Sequence, residues 1–260
     1  MTTIVSIHSF RGGTGKSNVT ANLASQVALA GKRVAVIDTD INSPGIHVPF
    51  GLDEHSMQRT LNEFLRSECS IEEVAYSIGE HPGEAEGRSK LAGKSLWLVP
   101  SSINGDEISR VLKEGYDVGR LNEGMQTLRK SLSLDYLFID THPGLNEETL
   151  LSVAVSDILI IILRPDAQDF QGTAVTVDIA RNLDVPNLYL VINKALLSRY
   201  SSDQIRQEVE SAYGAPVIGV LPLSEDMADL RSADIFSLSS PEHYWSKEIR
   251  RMAQAVLQTK

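Results

Sequence analysis

Short apolar segments alternate with longer amphipathic segments along nearly the whole chain. Runs of β-branched and aliphatic residues favour strands, whereas apolar positions spaced three or four apart favour helices. Strands that alternate with helices typically form a parallel sheet with the helices packed on both of its faces. The pattern therefore predicts one α/β domain over residues 1–260, with a mostly parallel twisted sheet flanked by helices on both faces.

The individual elements follow from the same pattern. The predicted strands are Ile4–Ile7, Arg33–Asp38, Leu96–Pro100, Tyr136–Asp140, Ile158–Leu163, Leu188–Asn193 and Val217–Leu221. The predicted helices are Lys16–Ala30, Gln58–Arg66, Gly119–Leu132, Glu147–Val155, Phe170–Asn182, Asp203–Ala212, Glu225–Arg231 and Glu242–Gln258. Residues 79–88 are polar and rich in turn-forming residues, so we interpret them as a mobile loop, and a partner-binding role for this loop stays open.

A glycine-rich segment, residues 10–17, lies between the first predicted strand and the first predicted helix and reads FRGGTGKS. Glycines let several backbone N–H groups face one anion, and the helix N-terminus adds a partial positive charge there. The segment is therefore predicted to hold the phosphates of a nucleotide, with Lys16 reaching the β- and γ-phosphates and the Ser17 hydroxyl binding Mg²⁺. The other predicted nucleotide-binding residues here are Gly12, Gly13, Thr14, Gly15 and Asn18.

This phosphate loop departs from the common pattern G-x-x-x-x-G-K-[ST]. Phe10 stands where the first glycine belongs, and a basic residue, Arg11, opens the loop instead. In this it resembles the deviant phosphate loop of the ParA/MinD family of P-loop ATPases, in which the opening basic residue is usually lysine. The resemblance implies the P-loop NTPase fold, with ATP and Mg²⁺ as cofactors.

Two carboxylates, Asp38 and Asp40, follow the second predicted strand. Ligands of open α/β sheets bind at the carboxyl ends of the strands. Asp38 is predicted to hold Mg²⁺, and Asp40 to orient or deprotonate the water that attacks the nucleotide. The resembled family also carries D-x-D here, and its second Asp is the hydrolysis residue.

The strand Tyr136–Asp140 ends in a third carboxylate, as a Walker B metal ligand does. The continuation Thr141-His142-Pro143-Gly144 resembles the second switch of the ParA/MinD family, which implies that the Gly144 N–H faces the γ-phosphate. His142 lies where it can sense the nucleotide, although a solvated position is the plainer interpretation of this residue.

The segment that begins at Asn193 indicates whether the nucleotide carries guanine or adenine. A guanine-binding loop reads N/T-K-x-D, and here Asn193-Lys194 is followed by Ala195-Leu196, without the aspartate. Adenine is therefore favoured. The resemblance implies that Asn193 hydrogen-bonds the adenine and that the later segment containing Pro222 packs against it.

The same resemblance gives Arg11 a role. In the ParA/MinD family the corresponding lysine crosses a dimer interface to the partner's phosphates, so that two ATP molecules are sandwiched between the subunits. An arginine forks over phosphate oxygens and is always charged. We therefore expect Arg11 to act as a catalytic residue in trans, beside Lys16 and Asp40 in each subunit.

Composition narrows the candidate functions. The net charge of −10 argues against a general attraction to nucleic acid or anionic lipid, although a local basic face stays open. The single cysteine, Cys69, excludes an intrachain disulfide and the cysteine pairs of iron–sulfur carriers with this fold, and it fits a reducing compartment. Without a basic leader at the start, the expected location is the cytoplasm, with possible peripheral attachment to membrane or nucleoid.

These observations together predict an ATP-binding and ATP-hydrolysing switch that forms an ATP-sandwich homodimer and acts in intracellular positioning or partitioning. Its hydrolysis is expected to be slow and to be stimulated by a protein activator or cargo adaptor, whereas the choice between a DNA and a membrane surface is undecided. The alternative is an ATP-dependent metabolic ligase or amidase of the dethiobiotin-synthetase or cobyrinate-amidase type. The amphipathic segment at Glu242–Gln258 is interpreted as part of the core rather than as a membrane-binding helix.

Overall fold

A computed structural model describes residues 1–259 and contains an eight-stranded sheet. Its strands are β1 (Thr3–His8), β2 (Val34–Asp38), β3 (Tyr76–Ser77), β4 (Leu96–Val99), β5 (Tyr136–Asp140), β6 (Ile158–Leu163), β7 (Asn187–Ala195) and β8 (Val217–Pro222). Their order across the sheet is β3-β4-β2-β5-β1-β6-β7-β8, and every neighbouring pair is parallel except β3 with β4. The mostly parallel sheet is confirmed, and the short antiparallel edge strand β3 was not predicted.

Eleven α-helices accompany the sheet. They are α1 (Lys16–Leu29), α2 (Leu61–Leu65), α3 (Glu86–Ser89), α4 (Gly105–Glu114), α5 (Val118–Ser131), α6 (Glu147–Ala154), α7 (Ala167–Asn182), α8 (Ser202–Tyr213), α9 (Glu225–Asp229), α10 (Phe236–Ser239) and α11 (Tyr244–Gln258). A short 3-10 helix spans Glu72–Val74. The sequence missed α4 because Val111 is its only buried residue, so the helix carries a weak apolar signal.

Helices cover both faces of the sheet, as the alternating directions of the side chains along β2 demonstrate. Val34 and Val36 belong to a core cluster that contains residues of α1 and α11. Ala35 and Ile37, which point to the opposite face, belong to a cluster with residues of α2 and α5. All five residues of β2 are buried, which explains why the strand is an unbroken apolar run up to its final aspartate.

Residues 79–88 are more ordered than the sequence predicts. Helix α3 begins within them, and the Gly87 and Arg88 N–H groups donate to the two carboxylate oxygens of Asp234 at 2.7 and 2.9 Å. Gly87 is buried, and a Cβ at this position would lie 2.6 Å from the Ile235 carbonyl oxygen. The mobile-loop interpretation is therefore wrong for this end of the segment, since a carboxylate 147 residues away caps the helix and local sequence gives no sign of it.

The sheet order determines where the functional residues meet. Strands β2, β5 and β1 are neighbours, and in register Asp140 lies beside Asp38 on one side and beside Ile7 on the other. The carboxyl ends of parallel strands lie at one edge of a sheet. The phosphate loop after β1 and the carboxylates of β2 and β5 therefore share that edge.

The C-terminal helix α11 is part of the core. Its residues Trp245, Ile249, Met252 and Val256 are buried against α1 and β8. The core interpretation of this amphipathic segment thus agrees with the structure, and its apolar face is not available to a lipid surface. Among residues 1–259, no helix combines the length and the apolar character needed to cross a membrane.

We expect Trp245→Ala to lower the free energy of unfolding by about 3–5 kcal/mol, because it removes a fully buried indole that packs edge-to-face on Phe236 at 5.7 Å. Tyr244→Ala is the matched control, since this neighbouring side chain is exposed and its loss should change stability by about 0.5 kcal/mol or less. Urea unfolding followed by circular dichroism measures both. Equal losses of unfolding free energy in the two variants would contradict the packing of α11.

Candidate nucleotide-binding site

The phosphate loop connects β1 to α1 and ends where the helix begins, at Lys16. Gly13 and Gly15 have φ angles of 76° and 89°, a left-handed conformation that side chains other than glycine rarely adopt. Within residues 1–259 no side chain caps the first turn of α1, so its N–H groups point into the loop. Free N–H groups at a helix N-terminus are a binding site for anions such as phosphate.

The Lys16 ammonium lies between two carboxylates. Its Nζ is 3.1 Å from Asp140 Oδ1 and 3.8 Å from Asp40 Oδ2, and the lysine side chain is almost completely buried. Thr20, one turn along α1, donates its hydroxyl to the same Asp140 oxygen at 3.1 Å. Sequence analysis missed Thr20, because only the tertiary fold brings α1 and β5 together.

Asp38 and Asp140 are fully buried acids on neighbouring strands. Burial, and next the nearby Asp140 carboxylate, raises the pKa of Asp38 well above its usual range. Among residues 1–259, Asp38 Oδ2 and Asp140 Oδ2 have no hydrogen-bond donor. Two buried, unpartnered carboxylate oxygens are what a hard cation such as Mg²⁺ binds, so the residues present fit the predicted metal.

Such a cation would need further ligand atoms from water and from a bound nucleotide. The described residues contain no cluster of three or more His, Cys, Asp or Glu that could hold a metal by itself. Mg²⁺ is usually bound through one or two carboxylates, waters and the phosphates of a nucleotide. The predicted set of Ser17, Asp38 and Asp140 fits this mode of binding.

A neutral histidine lies beside these charges. Burial, followed by the nearby Lys16 ammonium, lowers the pKa of His8 to about 3. Its Nδ1 lies 2.8 Å from the Thr141 hydroxyl, directly after β5. His8 therefore links the phosphate loop to the second switch segment as an uncharged group, a role that the sequence did not reveal.

Asp40 follows β2 and lies at the opening of the site. Burial raises the pKa of Asp40, and this rise is opposed by the nearby Lys16 ammonium and, when it is protonated, by the His142 ring. Its Oδ1 accepts a hydrogen bond from the Ser43 N–H at 3.2 Å and lies 3.9 Å from His142 Nε2. Asp40 thus belongs to the same cluster as Lys16, as the sequence predicts.

The Gly144 N–H has a hydrogen-bond acceptor within the chain. It has a φ angle of 87°, and its N–H donates to the Ser9 carbonyl at 3.2 Å. A contact from this N–H to a γ-phosphate requires that the hydrogen bond to Ser9 be broken. The role of Gly144 stays a prediction.

Asn193 contacts the phosphate loop from the end of β7. Its side-chain amide donates to the Thr14 carbonyl at 2.7 Å, and the neighbouring Lys194 donates to the Gly13 carbonyl at 2.7 Å. A Cβ on Gly15 would lie 2.5 Å from the Asn193 amide nitrogen. The structure therefore places Asn193 at the loop, and its predicted bond to adenine stays a prediction.

Cavities lie along this edge of the sheet. The phosphate cavity, of about 330 Å³, is lined by Ser9, Gly12, Gly13, Thr14, Gly15, Lys16, Ser17, Asn18, Asp40, Ser43 and Pro143. The second cavity, of about 490 Å³, is lined by residues that include Pro222, Leu223 and Tyr244. Pro222 pairs with Ala195 on the neighbouring strand, so the predicted base-binding residues Asn193 and Pro222 lie on adjacent strands.

Arg11 is held by the start of α7. Its guanidinium donates to Gln168 Oε1 at 2.5 Å and lies 3.7 Å from Asp169 and 3.8 Å from Asp166. Arg164 pairs with the same two aspartates at 3.1 Å each. Sequence analysis did not identify these partners, and in this conformation Arg11 does not line the phosphate cavity.

Comparison with known proteins agrees with this geometry. Residues 5–235 match the CobQ/CobB/MinD/ParA nucleotide-binding domain family. The chain belongs to this family. The match includes the phosphate loop, the three carboxylates and Asn193, so the resemblance inferred from the motifs is confirmed.

Similar proteins come from bacteria and archaea. An uncharacterised ATP-binding protein of Methanocaldococcus jannaschii is 27% identical over 85% of this chain and 75% of its own length. The flagellum site-determining protein YlxH of Helicobacter pylori is 30% identical over 74% of this chain and 58% of its own length. The structure of the septum site-determining protein MinD of Pyrococcus horikoshii, complexed with Mg-ADP, has the same fold, with a TM-score of 0.79, 19% identity and coverage of 99% of this chain and 97% of that one.

We expect Asp38→Asn to stabilise the protein in the absence of nucleotide and metal. The raised pKa means that folding disfavours the charged carboxylate, so an uncharged isostere should raise the free energy of unfolding at pH 8 by about 1–3 kcal/mol. Urea unfolding in EDTA tests this, and the same substitution should weaken binding of Mg²⁺-ATP.

Asp53→Asn is the control, because hydrogen bonds from Ser56 lower the pKa of this exposed acid, and its substitution should not stabilise the fold. A loss of stability in Asp38→Asn would contradict the assignment of Asp38 as a destabilising, functional charge.

Proposed function

We propose that this protein is a Mg²⁺-dependent ATPase that works as a dimerising switch in intracellular positioning or partitioning. The observation that carries the proposal is the Lys16 ammonium, which lies in the phosphate loop between the carboxylates of Asp140 and Asp40. This arrangement brings a phosphate-binding cation together with a metal ligand and a base for the attacking water.

The substrate is ATP. The phosphate loop binds the triphosphate through its N–H groups and Lys16, while Ser17, Asp38 and Asp140 hold Mg²⁺, which neutralises charge on the phosphates. Asn193 contacts the loop and Pro222 lies on the adjacent strand, and together they suit an adenine. The Mg-ADP complex of the similar MinD supports this choice of ligand.

The dimer is proposed from Arg11. Its guanidinium is partly exposed and lies outside the phosphate cavity of its own subunit. In an ATP-sandwich dimer it leaves Gln168 and Asp169 and forks over the phosphates bound to the partner subunit. Hydrolysis is then slow in the monomer, because the positive charge that stabilises the transition state comes from a second copy.

The cellular role is proposed from the similar site-determining proteins. A switch of this kind dimerises with ATP on a surface and leaves it when a protein activator or cargo adaptor triggers hydrolysis. We propose that it works in the cytoplasm, peripheral to membrane or nucleoid. Because the net charge is −10, contact with an anionic surface requires a local basic face.

A variant that binds ATP without hydrolysing it tests the dimer. Asp40→Ala removes the base for the attacking water, so the variant should bind ATP without hydrolysing it and accumulate as a dimer. Size-exclusion chromatography with light scattering should give a dimer with Mg²⁺-ATP and a monomer with ADP.

A monomer under both conditions would overturn the sandwich mechanism and favour the metabolic ligase or amidase instead, whose turnover requires a small-molecule substrate. The trapped dimer is also the species on which binding to DNA and to anionic vesicles should be compared.

Substitution of Arg11 tests its proposed role in trans. Arg11→Ala should lower ATP turnover by about 10²-fold or more, because arginines supplied in trans contribute 10³–10⁵ in related phosphoryl transfers. Arg11→Lys should keep part of the activity. Arg59→Ala, which removes an exposed arginine paired with Glu73, is the control and should leave turnover unchanged. Wild-type turnover and dimerisation in Arg11→Ala would exclude a role in trans.

A further inference from the structure

His142 lies in the loop after β5 and faces Asp40. Its Nδ1 is 2.6 Å from the Pro143 carbonyl oxygen. A carbonyl oxygen only accepts hydrogen bonds, so Nδ1 carries a proton and donates it. In the neutral ring the other nitrogen, Nε2, is then an acceptor, and this is the atom that lies 3.9 Å from Asp40 Oδ1.

The gap between His142 and Asp40 suits one bridging water. A distance of 3.9 Å is too long for a direct hydrogen bond, and two acceptors do not bond one another. Two hydrogen bonds of about 2.8 Å that start from acceptors 3.9 Å apart meet at a single water at an angle of about 90°. Such a water donates one hydrogen to each acceptor, and its lone pairs point away from both.

The position of this pair relates it to the nucleotide. Asp40 and Pro143, which flank the gap, both line the phosphate cavity. The Ser43 N–H donates to Asp40 Oδ1 and holds the carboxylate in place. A water held between the two side chains therefore lies at the border of the phosphate cavity.

We propose that His142 and Asp40 together hold the water that attacks the γ-phosphorus of ATP, with His142 orienting it through Nε2. This inference rests on the ATPase function proposed above. As the water oxygen bonds to phosphorus, the bond from phosphorus to the β–γ bridging oxygen breaks and its electron pair leaves with ADP. One water proton passes to Asp40 Oδ1, and the other remains on the phosphate that forms.

The ring of His142 is not needed to hold the loop. The side chain is about one quarter exposed, and the backbone of His142 is anchored separately, because Thr149 donates its hydroxyl to the His142 carbonyl at 3.2 Å. Replacing the ring should therefore leave the switch segment and ATP binding intact.

We expect His142→Ala to lower kcat by about 10- to 100-fold and to change KM by less than about twofold, because a misplaced water affects the chemical step and not ATP binding. His142→Gln, whose amide oxygen is an acceptor, should recover part of the rate. His81→Ala removes an exposed histidine from residues 79–88 and is the matched control.

Two further measurements separate water positioning from a structural role. If both residues hold one water, Asp40→Asn with His142→Ala should be no slower than Asp40→Asn alone. Binding of ADP with aluminium fluoride, which mimics the transition state, should weaken about tenfold in His142→Ala. Affinity for a non-hydrolysable ATP analogue and the melting temperature should stay at their wild-type values.

The inference is wrong if His142→Ala keeps the wild-type kcat, or if the losses in the double variant multiply. Its failure is distinguishable from that of the proposed function. A wild-type protein that hydrolyses ATP beside an equally active His142→Ala variant excludes only the role of His142. A wild-type protein that binds ATP and neither hydrolyses it nor dimerises overturns the proposed function, and the inference with it.

Discussion

The site depends on one buried cation. Lys16 lies 3.1 Å from Asp140 and 3.8 Å from Asp40, and Asp38 lies beside Asp140 on the neighbouring strand. Three acids so close together and so little exposed are costly to ionise, and the ammonium offsets part of that cost. Burial, and next the Asp140 carboxylate, still raises the pKa of Asp38, so a further cation is favoured at the site. The charges that destabilise the fold in the absence of a ligand are therefore the same charges that a bound magnesium nucleotide requires.

The sheet makes this cluster possible because it holds the charged residues on rigid strands. Strands β1, β2 and β5 are neighbours and almost entirely buried, so the positions at which their carboxyl ends meet are set by packing on both faces. The loops beyond these strands have hydrogen bonds of their own. The Gly144 N–H donates to the Ser9 carbonyl, the Ser43 N–H donates to the carbonyl and the carboxylate of Asp40, and the Asp40 N–H donates to Asp38 Oδ1. The fold thus places Asp38 and Asp140 on rigid strands, and Asp40 and Gly144 in the loops directly beyond them.

Several groups predicted to bind nucleotide are occupied by contacts within the chain. Arg11 pairs with residues at the start of α7, the Gly144 N–H with the Ser9 carbonyl, and Asn193 with the Thr14 carbonyl. A hydrogen bond of this kind contributes about 1 kcal/mol of net stability. The free energy of binding a triphosphate with its metal exceeds that contribution many times over. The structure therefore represents a state that ATP binding is expected to rearrange.

The sequence by itself determined the seven parallel strands, the phosphate loop and the three carboxylates, because apolar runs and motif spacing are local properties of the chain. Only the tertiary structure decided which side chains these residues meet. Thr20 contacts Asp140 across 120 residues, and Asp234 caps α3 from 147 residues away. The approach of His142 to Asp40 likewise depends on the pairing of β5 with β2. Such contacts leave no periodic or spacing signal in the chain, since they exist only after the sheet has brought distant segments to one edge.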